Sequence, residues 1–156
     1  MGDLWVARSS KGLCKVTQDL TEEELISSLR AVFAGEPRST NQPYKELFRR
    51  FEAYFQGRPV SFSDLTLDLR GTDFEKAVWR SVAQIPYGAI ASYRDVAAEA
   101  GRPRAYRAAG NAVGKNRFMI VVPCHRVIKS DGSLGGFGGR PDIKKFLLRL
   151  EGLKRF

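Results

Sequence analysis

The spacing of apolar residues changes period several times along the 156-residue chain, and each change predicts an element. Leu4 to Arg8 and Leu13 to Thr17 alternate around Ser9-Ser10-Lys11-Gly12, which predicts a β-hairpin. Thr21-Glu22-Glu23-Glu24 is a capping box, in which a hydroxyl and a carboxylate satisfy the first free amides of a helix. That helix is predicted to run to about Phe33, with Gly35 and Pro37 ending it. A polar loop follows to Pro43. From Tyr44 to Phe55, the residues Leu47, Phe48, Phe51, Tyr54 and Phe55 fall at helical spacing, with Gly57-Arg58-Pro59 beyond them. This aromatic stripe reads as core, with a ligand-binding face as the alternative. Residues 58 to 72 predict a strand and a connector.

Gly71-Thr72-Asp73 marks a boundary between domains of residues 1–70 and 71–156. Thr72 or Asp73 caps a helix carrying Val78 and Trp79, and Ile85-Pro86-Tyr87-Gly88 is a turn. Ser92 caps a helix to about Ala100; Gly101-Arg102-Pro103 breaks it, and another runs from about Arg104 to Val113. Two short helices joined by a tight Gly-containing turn form a helix-turn-helix pattern, which also occurs in proteins that bind no DNA. The second helix carries Ala105, Ala108, Ala109, Gly110 and Ala112. Such small residues permit either close helix packing or approach to the floor of a minor groove only about 6 Å wide. Phe118 to Val122, stopped by Pro123, predicts a buried strand that ends at an abrupt turn. A last helix opens at Pro141-Asp142 and sets Ile143, Leu147 and Glu151 in one row. A carboxylate on an apolar face, at the unfavourable C-terminal end of a helix, calls for a buried partner such as His125 or Arg126; a frayed, solvated end is the alternative. The fold class is α+β: a small N-terminal domain of sheet plus helices, then a mostly helical C-terminal domain with the helix-turn-helix.

Composition narrows the function. With 43% hydrophobic and 28% charged residues, the chain reads as an ordinary soluble protein. No stretch approaches the roughly 18 to 20 apolar residues of a membrane span, and the start shows no signal peptide. No membrane partner is expected, and the expected location is the cytoplasm, or the nucleus in a eukaryote. The two cysteines, Cys14 and Cys124, read as free thiols of a reducing compartment, with a bridge between them left open. A net charge of +9 suits a polyanionic partner. Its placement says more: Arg102, Arg104, Arg107, Lys115 and Arg117 form a run without an acidic residue. One histidine and two cysteines do not assemble a zinc site without carboxylates at ligand spacing, so neither metal nor cofactor is expected.

The chemistry concentrates in Pro123-Cys124-His125-Arg126-Val127, which contains the only histidine. A thiolate is the nucleophile of protein sulfur chemistry, and a neighbouring imidazole favours it. Cys124 can equally be read as an inert core cysteine.

Around this turn the chain resembles the O6-alkylguanine-DNA alkyltransferases, the methylated-DNA–protein-cysteine methyltransferases. The motifs are Val121-Val122-Pro123-Cys124-His125-Arg126-Val127-Ile128, Phe74-Glu75-Lys76-Ala77-Val78-Trp79, Ile85-Pro86-Tyr87-Gly88, Ser92-Tyr93, Arg107-Ala108-Ala109-Gly110, Asn116 and Leu150-Glu151-Gly152. They span residues 73 to 153; the first seventy residues match only loosely. The resemblance implies direct reversal of DNA damage: the alkylated guanine is flipped out of the duplex and its alkyl group passes irreversibly to Cys124 in a single turnover. It implies a catalytic set of Cys124, His125, Glu151, Tyr93 and Asn116, with Glu151 orienting His125 and His125 acting through a water. Arg107 is the implied finger that fills the base stack. The implied DNA-binding set adds Tyr93, Arg94, Arg102, Arg104, Ala105, Ala108, Gly110, Lys115 and Ser130, and Val127, Phe137 and Gly138 line the base pocket. The partner is double-stranded DNA containing O6-alkylguanine, bound through the minor groove by a monomer. Arg126 is read as structural. Some relatives carry a structural zinc whose ligands this chain lacks.

One region departs from the family. The usual G-[NG]-Y-S-G-G loop is here Gly135-Gly136-Phe137-Gly138-Gly139-Arg140, which loses a phenol and a serine hydroxyl. Three other readings stand beside the alkyltransferase. A lesion sensor of the alkyltransferase-like type would lack the cysteine, and a cysteine hydrolase would not need the Arg107 helix. A transcription regulator would need a base-reading helix rather than one of alanines.

Overall fold

The computed structural model describes residues 3–18, 20–40, 44–138 and 140–156. Met1 and Gly2, the end of the polar loop at residues 41–43 and Gly139 of the glycine-rich run lie outside the described residues.

The hairpin is formed by β1 (Leu4–Ser9) and β2 (Gly12–Gln18), antiparallel, with Leu4 opposite Gln18 and Ser9 opposite Gly12. The outer edge of β2 is used as well. Leu13 N donates to Thr66 O at 2.9 Å and Asp68 N to Leu13 O at 2.7 Å; further along, Val16 N donates to Arg117 O at 2.8 Å and Met119 N to Val16 O at 3.0 Å. The strand expected within residues 58–72 is therefore corrected to a single bridge between Leu67 and Leu13. β2 divides its free edge between Leu67 and Phe118, so neither segment can extend into a ladder.

α1 (Glu22–Arg30) starts with the Thr21–Glu24 capping box, both reciprocal bonds being made. It ends before Phe33, and its last turn tightens where Val32 N donates to Leu29 O, three residues back, at 3.0 Å. α2 (Lys45–Phe55) buries Leu47, Phe51 and Tyr54 and leaves Phe48 exposed.

α3 (Asp73–Ala83) opens with a second capping box, Thr72–Glu75. Then come β3 (Ala91–Ser92), α4 (Tyr93–Glu99), capped by Ser92, and α5 (Tyr106–Gly114). α5 begins two residues later than predicted, since Ala105 N turns back to Arg102 O. α3, α4 and α5 pack together; the Trp79 indole N–H donates to Ala112 O at 2.8 Å. Ala109 and Ala112 are buried in that contact, while Ala108 faces outward and Ala105 and Gly110 are half-buried. Close packing thus accounts for only part of the small-residue stripe.

The expected strand at Phe118 to Val122 is a correction. Phe118, Ile120, Val121 and Val122 are buried as anticipated, but only Phe118 pairs with β2. The chain then reverses, with Val122 N donating to Phe118 O at 2.8 Å and Ile120 at φ 70°. A left-handed β-branched residue costs on the order of 1–3 kcal/mol and persists where its surroundings over-determine it. Here the burial of the neighbouring side chains holds it. A short 3-10 turn, Cys124–Arg126, leads into β4 (Val127–Ile128), parallel to β3. α6 (Pro141–Leu150) closes the fold. The main core is continuous and draws on β2, α2, α3, α4, α5 and α6 alike.

Candidate active site

Cys124 sits on the 3-10 turn, 9% exposed, in the wall of a cavity of about 850 Å³ that it shares with Tyr93, Arg107, Asn116, Phe137 and Gly138. Asn116 fixes the approach to it. Its Nδ2 donates to Val122 O at 2.8 Å and to Cys124 Sγ at 3.1 Å, and its Oδ1 accepts from Phe118 N at 2.9 Å. Burial pushes the thiol of Cys124 above its ordinary range, while the Asn116 donor and the charge of Lys144 pull it back. The site therefore rests as a thiol and holds donors that favour the thiolate once a base has taken the proton.

An imidazole follows it in the chain. His125 is fully buried, and its Nε2 lies 2.7 Å from Glu151 Oε1. Because an ionised carboxylate only accepts, the proton is assigned to Nε2, leaving Nδ1 as the acceptor. Nδ1 has no protein hydrogen-bond partner. Burial lowers the imidazole below its ordinary range, and Glu151 only partly offsets that, so His125 is neutral and ready to accept. Cys124 and His125 lie side by side on the 3-10 turn. What separates them is their partners: Sγ faces Asn116, and Nε2 faces Glu151.

Glu151 lies just past α6, 5% exposed. Arg126 grips it with two bonds of 2.9 Å, Nε to Oε2 and Nη2 to Oε1, and Gly88 N donates to Oε2 at 3.1 Å. Burial works against the charge, but the bonds from His125, Arg126 and Tyr54 more than offset it and hold the carboxyl down to about 2. The buried partner is thus both His125 and Arg126, and the end of α6 is not frayed.

Two buried polar residues of this region escaped the sequence reading. Tyr54, on α2, is fully buried and donates its hydroxyl to Glu151 Oε1 at 2.6 Å. Helical spacing does not separate a tyrosine from the phenylalanines of its stripe; the signal was the hydroxyl, which needs a partner when buried. Lys144 is fully buried too. Its Nζ donates to Val127 O and Leu134 O at 2.5 and 2.6 Å and lies 5.9 Å over the Tyr93 ring. Burial lowers it to about 8. The overlooked signal was a lysine between Ile143 and Leu147 on the buried side of α6.

On the cavity's other wall, the Tyr93 hydroxyl donates to Gly136 O at 3.4 Å. Gly135 cannot be replaced without moving that ring: its φ is 70°, and a Cβ would stand 2.9 Å from the phenol. Phe137 and Gly138 line the cavity. Val127 is fully buried in β4, and Lys144 Nζ donates to its carbonyl.

The outer face of α5 exposes Arg107 and Ala108, with Arg104 just before it. Arg107 and Arg94 both stand over the Tyr106 ring, at 6.0 and 5.2 Å, and Arg102 over Phe74 at 5.1 Å. Lys115 is exposed and pairs with Glu75 at 2.6 Å. Ser130 is exposed in the turn after β4. Both cysteines are free thiols. Among the described residues no three His, Cys, Asp or Glu side chains converge, and no helix is long and apolar enough to cross a membrane.

Residues 73–153 match the family model described as 6-O-methylguanine DNA methyltransferase, DNA binding domain, and residues 1–69 match its ribonuclease-like domain. The first seventy residues, loose by motif, are therefore recognised as well. The methylated-DNA–protein-cysteine methyltransferase of Methanosarcina barkeri is 51% identical over 108 residues, covering 69% of this chain and 68% of its own. The crystal structure of the Mycobacterium tuberculosis O6-methylguanine methyltransferase superposes with a TM-score of 0.79 at 37% identity, over 99% of this chain and 88% of that one. The Mycobacterium tuberculosis OGT in complex with DNA gives 0.75 at 36% identity, over 97% and 87%.

Proposed function

The chain belongs to the 6-O-methylguanine DNA methyltransferase family, and from that premise we propose how its own residues carry the reaction. It repairs DNA by direct reversal, taking the alkyl group from guanine O6 onto its own cysteine. O6 lies inside the stacked duplex, so the nucleotide must rotate out before a thiol can reach it. α5 enters the minor groove, where its exposed Ala108 lets the backbone approach the floor. Arg107, exposed on α5 and on the rim of the thiol's cavity, fills the gap in the stack. Arg94, Arg102, Arg104 and Ser130 hold the phosphates, and the protein acts as a monomer.

Transfer is an in-line displacement. The Cys124 proton leaves through a bridging water to His125 Nδ1, a buried acceptor that would otherwise be unsatisfied. Sγ forms a bond to the alkyl carbon, the carbon–O6 bond breaks, and its electron pair stays on guanine. Glu151 stabilises the imidazolium that forms, with Arg126 keeping the carboxylate in place. Asn116 and the charge of Lys144 favour the thiolate. Tyr93, at the cavity wall, donates to the departing base as negative charge develops there. The product is a thioether, which water does not cleave, so each molecule reacts once.

The observation that carries this reading is a thiol on the wall of a large cavity, with an amide donor on its sulfur and a buried carboxylate–imidazole pair behind it. Intact-mass analysis after incubation with duplex DNA containing O6-methylguanine should show a gain of about 14 Da, located on Cys124 and absent in Cys124→Ala. Lesion binding with Cys124 left unmodified would favour a sensor instead.

A further inference from the structure

The relay is not built by the DNA-binding domain alone. Tyr54 belongs to α2, within the segment that matches the ribonuclease-like domain, yet its hydroxyl reaches the centre of the buried cluster. It donates to Glu151 Oε1 at 2.6 Å, the same oxygen that His125 Nε2 approaches at 2.7 Å, and it lies 3.2 Å from that nitrogen. Its ring packs edge-on against Phe55, Tyr87 and His125 and has no exposed surface. We propose that Tyr54 is a positioning residue for alkyl transfer, through which the N-terminal domain sets both the orientation and the basicity of His125.

The physical reason is competition for one oxygen. A hydrogen bond to a carboxylate oxygen draws on the charge that would otherwise act on the neighbouring imidazolium. Glu151 Oε1 serves three donors, Tyr54, His125 and Arg126 Nη2. With Tyr54 in place, Glu151 holds His125 in its tautomer without making it basic enough to be protonated at rest. The other groups acting on the imidazole are Arg126 and Lys144, both cationic and both opposing its protonation. The Tyr54 hydroxyl cannot ionise to act as a base: burial, then the adjacent Glu151, pushes it far above the usual phenol range. It works as a donor only.

This inference rests on the alkyl-transfer reading, and the test separates the two. Tyr54→Phe keeps the ring packing and removes only the O–H. The chain has one histidine, so a histidine isotope label reports on His125 alone. In the unaltered protein, nitrogen NMR should show the Nε2–H tautomer; in Tyr54→Phe the imidazole should titrate higher by about half a pH unit or more, as expected for loss of one bond to its counter-ion. The acid limb of transfer from free O6-benzylguanine should move up by the same amount, with binding to undamaged duplex unchanged. An identical titration and identical pH–rate profile in the two proteins would overturn the proposal, whatever happens to thermal stability. If Tyr54→Phe does not fold, the tautomer of the unaltered protein still decides: an Nδ1–H imidazole would exclude the shared-oxygen arrangement. Absence of any alkyl transfer by the unaltered protein would count against the alkyl-transfer reading, and the NMR titration would still test Tyr54.

Discussion

Replacing Glu151 by glutamine tests the buried cluster through both stability and pH. Glu151 accepts five hydrogen bonds on two oxygens, from Tyr54, His125, Arg126 twice and Gly88. Glutamine offers one acceptor oxygen, so the remaining donors meet an NH₂ group, and Arg126 is left buried without a counter-charge. Breaking a buried pair in this way costs about 3–5 kcal/mol. The carboxyl's own titration gives a similar figure: its fall from an ordinary 4.5 to about 2 corresponds to about 3 kcal/mol of stability at neutral pH. The sign follows from a depressed folded-state value. This stability is complete above the unfolded value of 4.5 and is lost as pH falls toward 2. Urea unfolding followed by the fluorescence of Trp5 and Trp79 measures it. Glu151→Gln should be less stable than the unaltered protein by about 3 kcal/mol at pH 7, and the gap should narrow by about 1.4 kcal/mol at pH 3.5, since only the unaltered protein loses this contribution. A gap that stays constant between the two pH values would refute the assignment of the stability to the ionised carboxylate.

Two further outcomes follow from the cavity and from α5. Arg107→Ala should slow transfer from duplex DNA far more than from free O6-benzylguanine, because only the duplex requires a base to be flipped; equal slowing on both would show that Arg107 acts on the fold. Gly138→Ser should restore the missing hydroxyl donor and speed methyl transfer, within the limit of about 2.7–4 kcal/mol known for single oxyanion donors. Nothing lies within 4 Å of the new Cβ, but φ is 53°, so thermal unfolding should show a loss of about 1 kcal/mol. Tolerance for benzylguanine should narrow in the same variant, and unchanged rates on both substrates would mean that the serine hydroxyl is dispensable here.

Features that depend on neighbouring residues could be read along the chain. The hairpin, the capping box at Thr21, a helix start at Thr72 or Asp73, the helix pair around Gly101 and the Pro-Cys-His-Arg turn were all legible, because capping, turn and periodicity rules act over a few residues. Glu151 was legible too, as a carboxylate in an apolar row that called for a buried partner. How distant segments share their hydrogen-bonding groups is settled by packing. Residues 58–72 and Phe118 to Val122 look like strands, but β2 has one free edge and divides it between them, so each keeps a single bridge. Lys115 stands in a run without acids, yet it pairs with Glu75, forty positions earlier. Tyr54 carries the same apolar spacing as its neighbouring phenylalanines; its hydroxyl acquires a role only because the core brings α2 against a carboxylate 97 positions away. A buried polar atom must find a partner, and spacing along the chain does not say which one the packing will supply.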